Sequence, residues 1–154
     1  ISFPRGDATT ETKVFEIKDA IINGATEIDA VVNQCEVKNK NWDYVKNEFI
    51  ELKKACGNIP LKIIIETSEL NEEEKIKLCK LITETNVDYV KTSTGFSNGG
   101  ATFEDIKLIK KNIGPNVKIK ASGGIKTRKD AEQFIQLGVS RIGTKFTREF
   151  ISQG

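Results

Sequence analysis

The 154-residue chain contains no histidine and no methionine. Without histidine, Ser–His and Cys–His nucleophilic pairs and histidine-ligated zinc are excluded together. Acid–base chemistry then falls to Lys, Asp, Glu, Tyr or water. The cysteines, Cys35, Cys56 and Cys79, are odd in number and form no CxxC pair. That usage points to reduced thiols of a cytoplasmic protein and not to a disulfide framework or a metal site. No apolar run approaches the ~18 residues of a membrane span, so no membrane partner is expected. Neither sign of charge dominates: 24 basic against 22 acidic side chains leave a net charge of +2. Such a balance carries no nucleic-acid footprint, and the basic run "KLIKK" (107–111) reads as the solvated face of a helix.

What is present alternates regularly. Helical spacing of apolar residues predicts helices over 9–25, 41–57, 71–86, 102–114 and 127–138, several ending at glycine. Trp42 reads as an anchor of the second of these helices. Between them lie short strands: "TEIDAVVN" (26–33), "LKIIIE" (61–66), "VDYVKT" (87–92), "VKIKA" (117–121) and "SRIGT" (140–144). Strands alternating with amphipathic helices imply a parallel sheet with right-handed crossovers, either an open doubly wound sheet or a (β/α)8 barrel.

The strands favour the barrel. Sheets covered by helices on both faces have near-continuous apolar strands. Here only one parity is apolar. Ile28, Ala30 and Val32 alternate with Glu27 and Asp29, and Leu61, Ile63 and Ile65 with Lys62 and Glu66. Val90 and Thr92 flank Lys91, and Ile119 and Ala121 flank Lys120. Successive side chains point to opposite faces, so the charges gather on one side, as in a barrel lumen. The expected fold is an α/β TIM (β/α)8 barrel, with residues 1–154 belonging to one domain.

Lys91 and Lys120 close two strands and Asp29 lies on a third. Catalytic groups of parallel barrels collect at the C-terminal strand ends. A strand-end lysine can simply extend its ammonium to water. Two lysines in one cavity instead repel each other, and desolvation adds to this, so that one becomes an unprotonated nucleophile at neutral pH. "SGGIKTR" (122–128) is either an ordinary strand-to-helix turn or a phosphate cradle at a helix N-terminus. Gly143 and Thr144 follow the last strand, where phosphate sites recur in these barrels. All three cysteines take a structural reading: Cys56 and Cys79 as core or boundary residues, and Cys35 just past a strand end, with a place at the pocket border only its lesser alternative.

The segments "EIDAVVN", "KIIIET", "DYVKTSTGF", "KIKASGGIKT" and "RIGT", in this order, resemble deoxyribose-phosphate aldolases over essentially the whole chain from "ISFPRG". The resemblance implies that Lys91 forms the Schiff base, Lys120 activates it and Asp29 shuttles protons. It implies that Gly95, Gly123, Gly124 and Gly143 surround the substrate phosphate, with Lys126 in the phosphate-facing loop. It further implies reversible cleavage of 2-deoxy-D-ribose 5-phosphate to glyceraldehyde 3-phosphate and acetaldehyde, with no metal or organic cofactor. The expected partners are the small phosphosugar and aldehyde substrates and further copies of the chain as a homodimer or higher homo-oligomer. Lys145 and Phe146 depart from the serines and small residues common in that family. Another phosphosugar Schiff-base aldolase, or a non-catalytic barrel fragment, fits the same strand pattern less fully.

Counting strands gives the tail of one at "ISF" and five complete ones, where closure needs eight. With no methionine and Ile1 first, the barrel is expected to lack roughly its first two and a half βα units, and the parent enzyme to carry roughly 60 or more further N-terminal residues. The isolated chain is expected to associate through its open strand edges and to turn over little substrate. Size-exclusion chromatography of the chain beside an activity assay checks this.

Overall fold

The structure, a computed structural model, describes residues 1–148. Helix α1 (Thr10–Ile22) leads into strand β1 (Ile28–Val31), the short α2 (Gln34–Lys38) and α3 (Trp42–Cys56). Strand β2 (Leu61–Ile64) and a 3-10 turn (Thr67–Glu69) precede α4 (Glu72–Glu84) and β3 (Tyr89–Lys91). Then come α5 (Phe103–Asn112), β4 (Lys118–Ser122), α6 (Arg128–Gln136) and β5 (Arg141–Gly143). Among the described residues no helix is long and apolar enough to cross a membrane.

All five strands are parallel and lie in the order β1-β2-β3-β4-β5. A doubly wound sheet reverses its strand order to cover both faces. This one never reverses, so right-handed crossovers put every helix on the same face. These are consecutive βα units of a (β/α)8 barrel wall. Ile28, Ala30, Val32, Leu61, Ile63, Ile65, Val90, Ile119 and Ala121 meet the helices in one core. From the helices come Ile17, Val45, Phe49, Leu52, Leu78, Ile82, Ile106, Ile109 and Phe134. Each buried Val, Leu, Ile or Phe among these contributes about 1.5–3 kcal/mol.

Local chemistry sets the helix starts. Side chains of Thr9, Asn33, Asn41, Asn71, Thr102 and Thr127 each accept a first-turn N–H, and Asn71–Glu74 and Thr127–Asp130 form reciprocal capping boxes. Three glutamates fill the first turn of α4, favourable at the positive end of its dipole. Four of the five regular strands are shorter than the sequence predicts, and β4 keeps its length one residue later. Their ladder bonds nevertheless continue, from Val32 N to Ile64 O, Ile65 N to Lys91 O and Thr92 N to Lys120 O. Ile1 lies along β1, its nitrogen donating to Asp29 O at 2.7 Å and its oxygen accepting from Val31 N at 3.2 Å. The helix at 34–38 and the turn at 67–69 escape the periodicity because they are too short to show one.

A buried ion pair sits where β1 ends. Lys13 and Glu48, both fully buried, meet at 2.7 Å. Lys13 Nζ also donates to Val31 O at 2.9 Å, and Glu48 accepts from Asn33 N at 3.3 Å. Burial lowers the Lys13 pKa and raises that of Glu48, each against the pull of its partner. Gly6 packs against the same strand end: a Cβ there would lie 2.0 Å from Val32 O. Breaking a buried pair strands a charge, so Lys13→Met should cost about 3–5 kcal/mol. Adding Glu48→Leu should restore part of it, measured as urea midpoints of the single and double variants.

Candidate active site

The face of the sheet turned away from the helices carries the charges. Register places Asp29 opposite Lys62, Ile64 opposite Lys91, Lys91 opposite Lys120, and Lys120 opposite Arg141. Neighbouring strands are about 4.8 Å apart, so Lys91 and Lys120 are forced side by side. Asp29 reaches between them. Its Oδ2 accepts from Lys91 Nζ and from Lys120 Nζ, both at 2.7 Å. Its Oδ1 lies 3.1 Å from Lys62 Nζ, which is also 2.6 Å from Glu27. Glu27 pairs in turn with Arg141. Below them the Tyr89 ring is flanked by the cations of Lys62, Lys118 and Arg141 at 5.5–5.8 Å from its centroid.

This arrangement changes the expected electrostatics. The sequence suggests that mutual repulsion of two lysines lowers the pKa of one. In the structure burial is the main cause that pulls the Lys91 ammonium below its ordinary value. Asp29 opposes it through a hydrogen bond and its charge, and Lys120 and Lys62 add only smaller repulsions. The reason is geometric: the carboxylate stands between the ammonium groups and screens them. Burial alone would push the Asp29 carboxyl up, but hydrogen bonds from Lys120 and Lys91, with their charges, hold it well below the usual carboxylate range.

Lys91 and Lys120 open into a cavity of about 630 Å³. Its wall includes Gly95, Gly123, Gly124, Lys126, Gly143 and Thr144, so the structure brings all the predicted loop residues to one space. Asp29 is not on that wall and is reached through the two lysines. Gly123 and Gly124 have φ of +82° and +75°, a region that disfavours residues with a Cβ. Gly123 also lies under Gly100, where a Cβ would approach the Gly123 carbonyl carbon to 2.5 Å. Thr144 donates to Ile125 O at 2.7 Å, tying the loop after β5 to the glycine loop. Lys145 and Phe146 also line the cavity, the Lys145 ammonium 5.7 Å from the Phe146 ring centroid.

Cys35 is exposed on α2 and does not line the cavity, in keeping with its structural reading. Helix α2 turns it away from the strand end. Burial pushes the Cys56 thiol up to about 11 and that of Cys79 to about 12, so both stay neutral. Lys62, Glu27, Arg141 and Tyr89 were not singled out from the sequence. The strand parity that marks Asp29 also marks Glu27 and Lys62, but their pairing depends on register.

A lumenal lysine pair thus stands beside a glycine-lined cavity. Residues 1–145 match the DeoC/LacD family aldolases, and the chain belongs to that family. Deoxyribose-phosphate aldolase of Clostridioides difficile (strain 630) is 57% identical over 144 residues, which are 94% of this chain and 66% of that protein. Among solved structures, the aldolase QR15 superposes with a TM-score of 0.94 at 38% identity, over 99% of this chain and 69% of that one. The tetrameric deoxyribose phosphate aldolase of Aeropyrum pernix superposes with a TM-score of 0.88 at 28% identity, over 99% and 65%. The chain thus spans just under two thirds of the length of the Clostridioides difficile relative.

The charge balance at Asp29 makes signed predictions. Asp29→Asn removes the anion that raises the Lys91 pKa and should lower that pKa further, whereas Lys120→Leu removes a repulsion and should raise it. Carbon-13 NMR titration of the reductively methylated lysines checks both directions. Because the Asp29 pKa is lower folded than unfolded, its contribution to stability is in place above the ordinary carboxylate range. It is lost as pH falls through that range towards the folded value, and acid unfolding of Asp29→Asn should lack this component.

Proposed function

We propose that the protein is a deoxyribose-phosphate aldolase that cleaves 2-deoxy-D-ribose 5-phosphate reversibly to D-glyceraldehyde 3-phosphate and acetaldehyde. The observation that carries this reading is the single Asp29 carboxylate shared by Lys91 and Lys120 at the edge of a glycine-lined cavity. Lys91 gives up its proton and its free amine attacks the substrate aldehyde; loss of water leaves an imine. The protonated imine withdraws electrons as the bond between C2 and C3 breaks and the C3 hydroxyl loses its proton. Glyceraldehyde 3-phosphate departs and an enamine remains. Protonation of the enamine carbon and hydrolysis release acetaldehyde and restore the amine.

Lys120 and Asp29 serve this sequence as a proton store. Asp29 Oδ2 faces both ammonium groups at 2.7 Å, so a proton leaving one nitrogen has an acceptor shared with the other. The cationic imine keeps the same counter-ion. On the wall of the same cavity, Gly95, Gly123, Gly124, Lys126, Gly143 and Thr144 form the cradle for the phosphate. Backbone N–H groups at the entry to α6 suit an anion, and Lys126 adds a cation. A homo-oligomer, the state of the Aeropyrum pernix relative, is the assembly we propose. The unpaired cysteines support a cytoplasmic site of action.

Treatment with acetaldehyde and borohydride should add one ethyl group, seen by intact mass and mapped to Lys91, and Lys91→Ala should abolish it. An adduct on Lys120 with Lys91 unmodified would reverse the two roles. Lys120→Leu should move the pH–rate optimum upward and cut the neutral rate by roughly 10²-fold. Since the imine itself withdraws the electrons, chelators should leave the rate unchanged.

A further inference from the structure

Glu66 follows β2 and takes no part in the chemistry above. It is buried and adopts φ 55° and ψ 69°, the left-handed region. Residues with a Cβ occupy that region at a free-energy cost and hold it only where surroundings enforce it. Here three donors enforce it, all from the loop that follows Lys91. Glu66 Oε2 accepts from Thr94 N at 3.2 Å and from the Thr94 hydroxyl, and Oε1 accepts from Ser97 Oγ at 3.0 Å.

A carboxylate only accepts, so it fixes the direction of every hydroxyl around it. The Thr94 hydroxyl proton is committed to Glu66, which leaves its oxygen to accept Phe96 N–H at 3.0 Å. The Ser97 proton is committed likewise, so the Ser68–Ser97 contact at 3.0 Å runs from Ser68 to Ser97. Thr67 N donates to Thr92 O at 2.9 Å and adds a main-chain tie beside the carboxylate. The loop so held is a partition. Thr94, Phe96 and Ser97 line the 630 Å³ cavity that contains Lys91, and also a smaller cavity of about 260 Å³ on the other side, where Glu66 and Arg5 lie.

We propose that Glu66 is a positioning residue for substrate binding: its carboxylate latches the 94–97 partition, so that the cavity wall shared with the Gly123–Gly124 loop stands where the phosphorylated end of the substrate is held. The proposal rests on the aldolase reading for its substrate but not for the latch. Acetaldehyde lacks the phosphorylated end, so its attack by Lys91 does not need the partition. Cleavage of the phosphosugar does.

The test compares wild type, Glu66→Ala and Glu66→Gln in three measurements: acetaldehyde–borohydride labelling of Lys91, steady-state cleavage of deoxyribose 5-phosphate, and amide hydrogen exchange across 92–99. Glu66→Ala should keep its labelling, raise KM about tenfold or more with kcat within about threefold, and speed exchange at 94–97. Tenfold corresponds to losing one hydrogen bond to a charged group. Glu66→Gln keeps an oxygen for Thr94 and turns its amide to Ser97, which can reverse its hydroxyl, so it should recover most of the KM. A fall in kcat and labelling together at unchanged KM would overturn the proposal, as would unchanged exchange at 94–97 in Glu66→Ala. Should Glu66→Ala fail to fold, Glu66→Gln with wild-type exchange but the full KM defect overturns it too. Absence of labelling in the wild type would refute the aldolase reading, and exchange would then decide the latch alone.

Discussion

Three ammonium groups, those of Lys62, Lys91 and Lys120, converge on the one Asp29 carboxylate, and the lumen depends on that convergence. Charges brought together out of water must be paired and hydrogen-bonded or they neutralise. Asp29 satisfies this for three strands at once. Because each oxygen is already engaged, the carboxylate cannot rotate without losing a partner. Glu27 extends the arrangement by taking the far side of Lys62 and the exposed Arg141. Under the aldolase reading proposed above, such a network is the preorganisation that electrostatic catalysis needs.

The scaffold holds Asp29 in place from behind. Lys13 and Glu48 join α1 to α3 and grip the backbone of Val31 and Asn33, two and four residues beyond the carboxylate. Gly6 lets the N-terminal segment press against the same strand end. The buried pair therefore acts on the polypeptide that carries the site and touches none of the lumenal side chains. At the same C-terminal strand ends, Glu66 and the Thr144–Ile125 bond brace the loops. The lumenal charges thus stand on rigid strands, and the cavity walls are loops each tied to a neighbour.

Much of this was legible because a strand has a period of two. Alternation alone placed Asp29, Lys62, Lys91 and Lys120 on one face, and the lack of reversal in strand order agrees with a single helix layer. What stayed hidden depends on relations between strands. Nothing local to Asp29 says that it bridges both lysines, since that follows from the register of β1 against β2, β3 and β4. The apolar spacing of the first helix does not mark Lys13, and only the packing of α1 on α3 reveals its burial. Glu66 has the parity of a lumenal charge, but its left-handed backbone turns it to the loop of the next strand. The short helix carrying Cys35 lacks a full amphipathic repeat, and so its orientation could not be foreseen.

Register carries one more consequence, for folding. Lys91 and Lys120 are Cα partners across β3 and β4, and Val90 and Ile119 are partners on the other face. Slippage of β4 by a single residue would drive Lys118 and Lys120 into the apolar layer beneath α5 and leave Ile119 among the lumenal cations. Unpaired ammonium groups in that layer are far too costly to persist. The same residues proposed for catalysis therefore act during folding as a proofreading device, rejecting misaligned sheets that a wholly apolar barrel would tolerate.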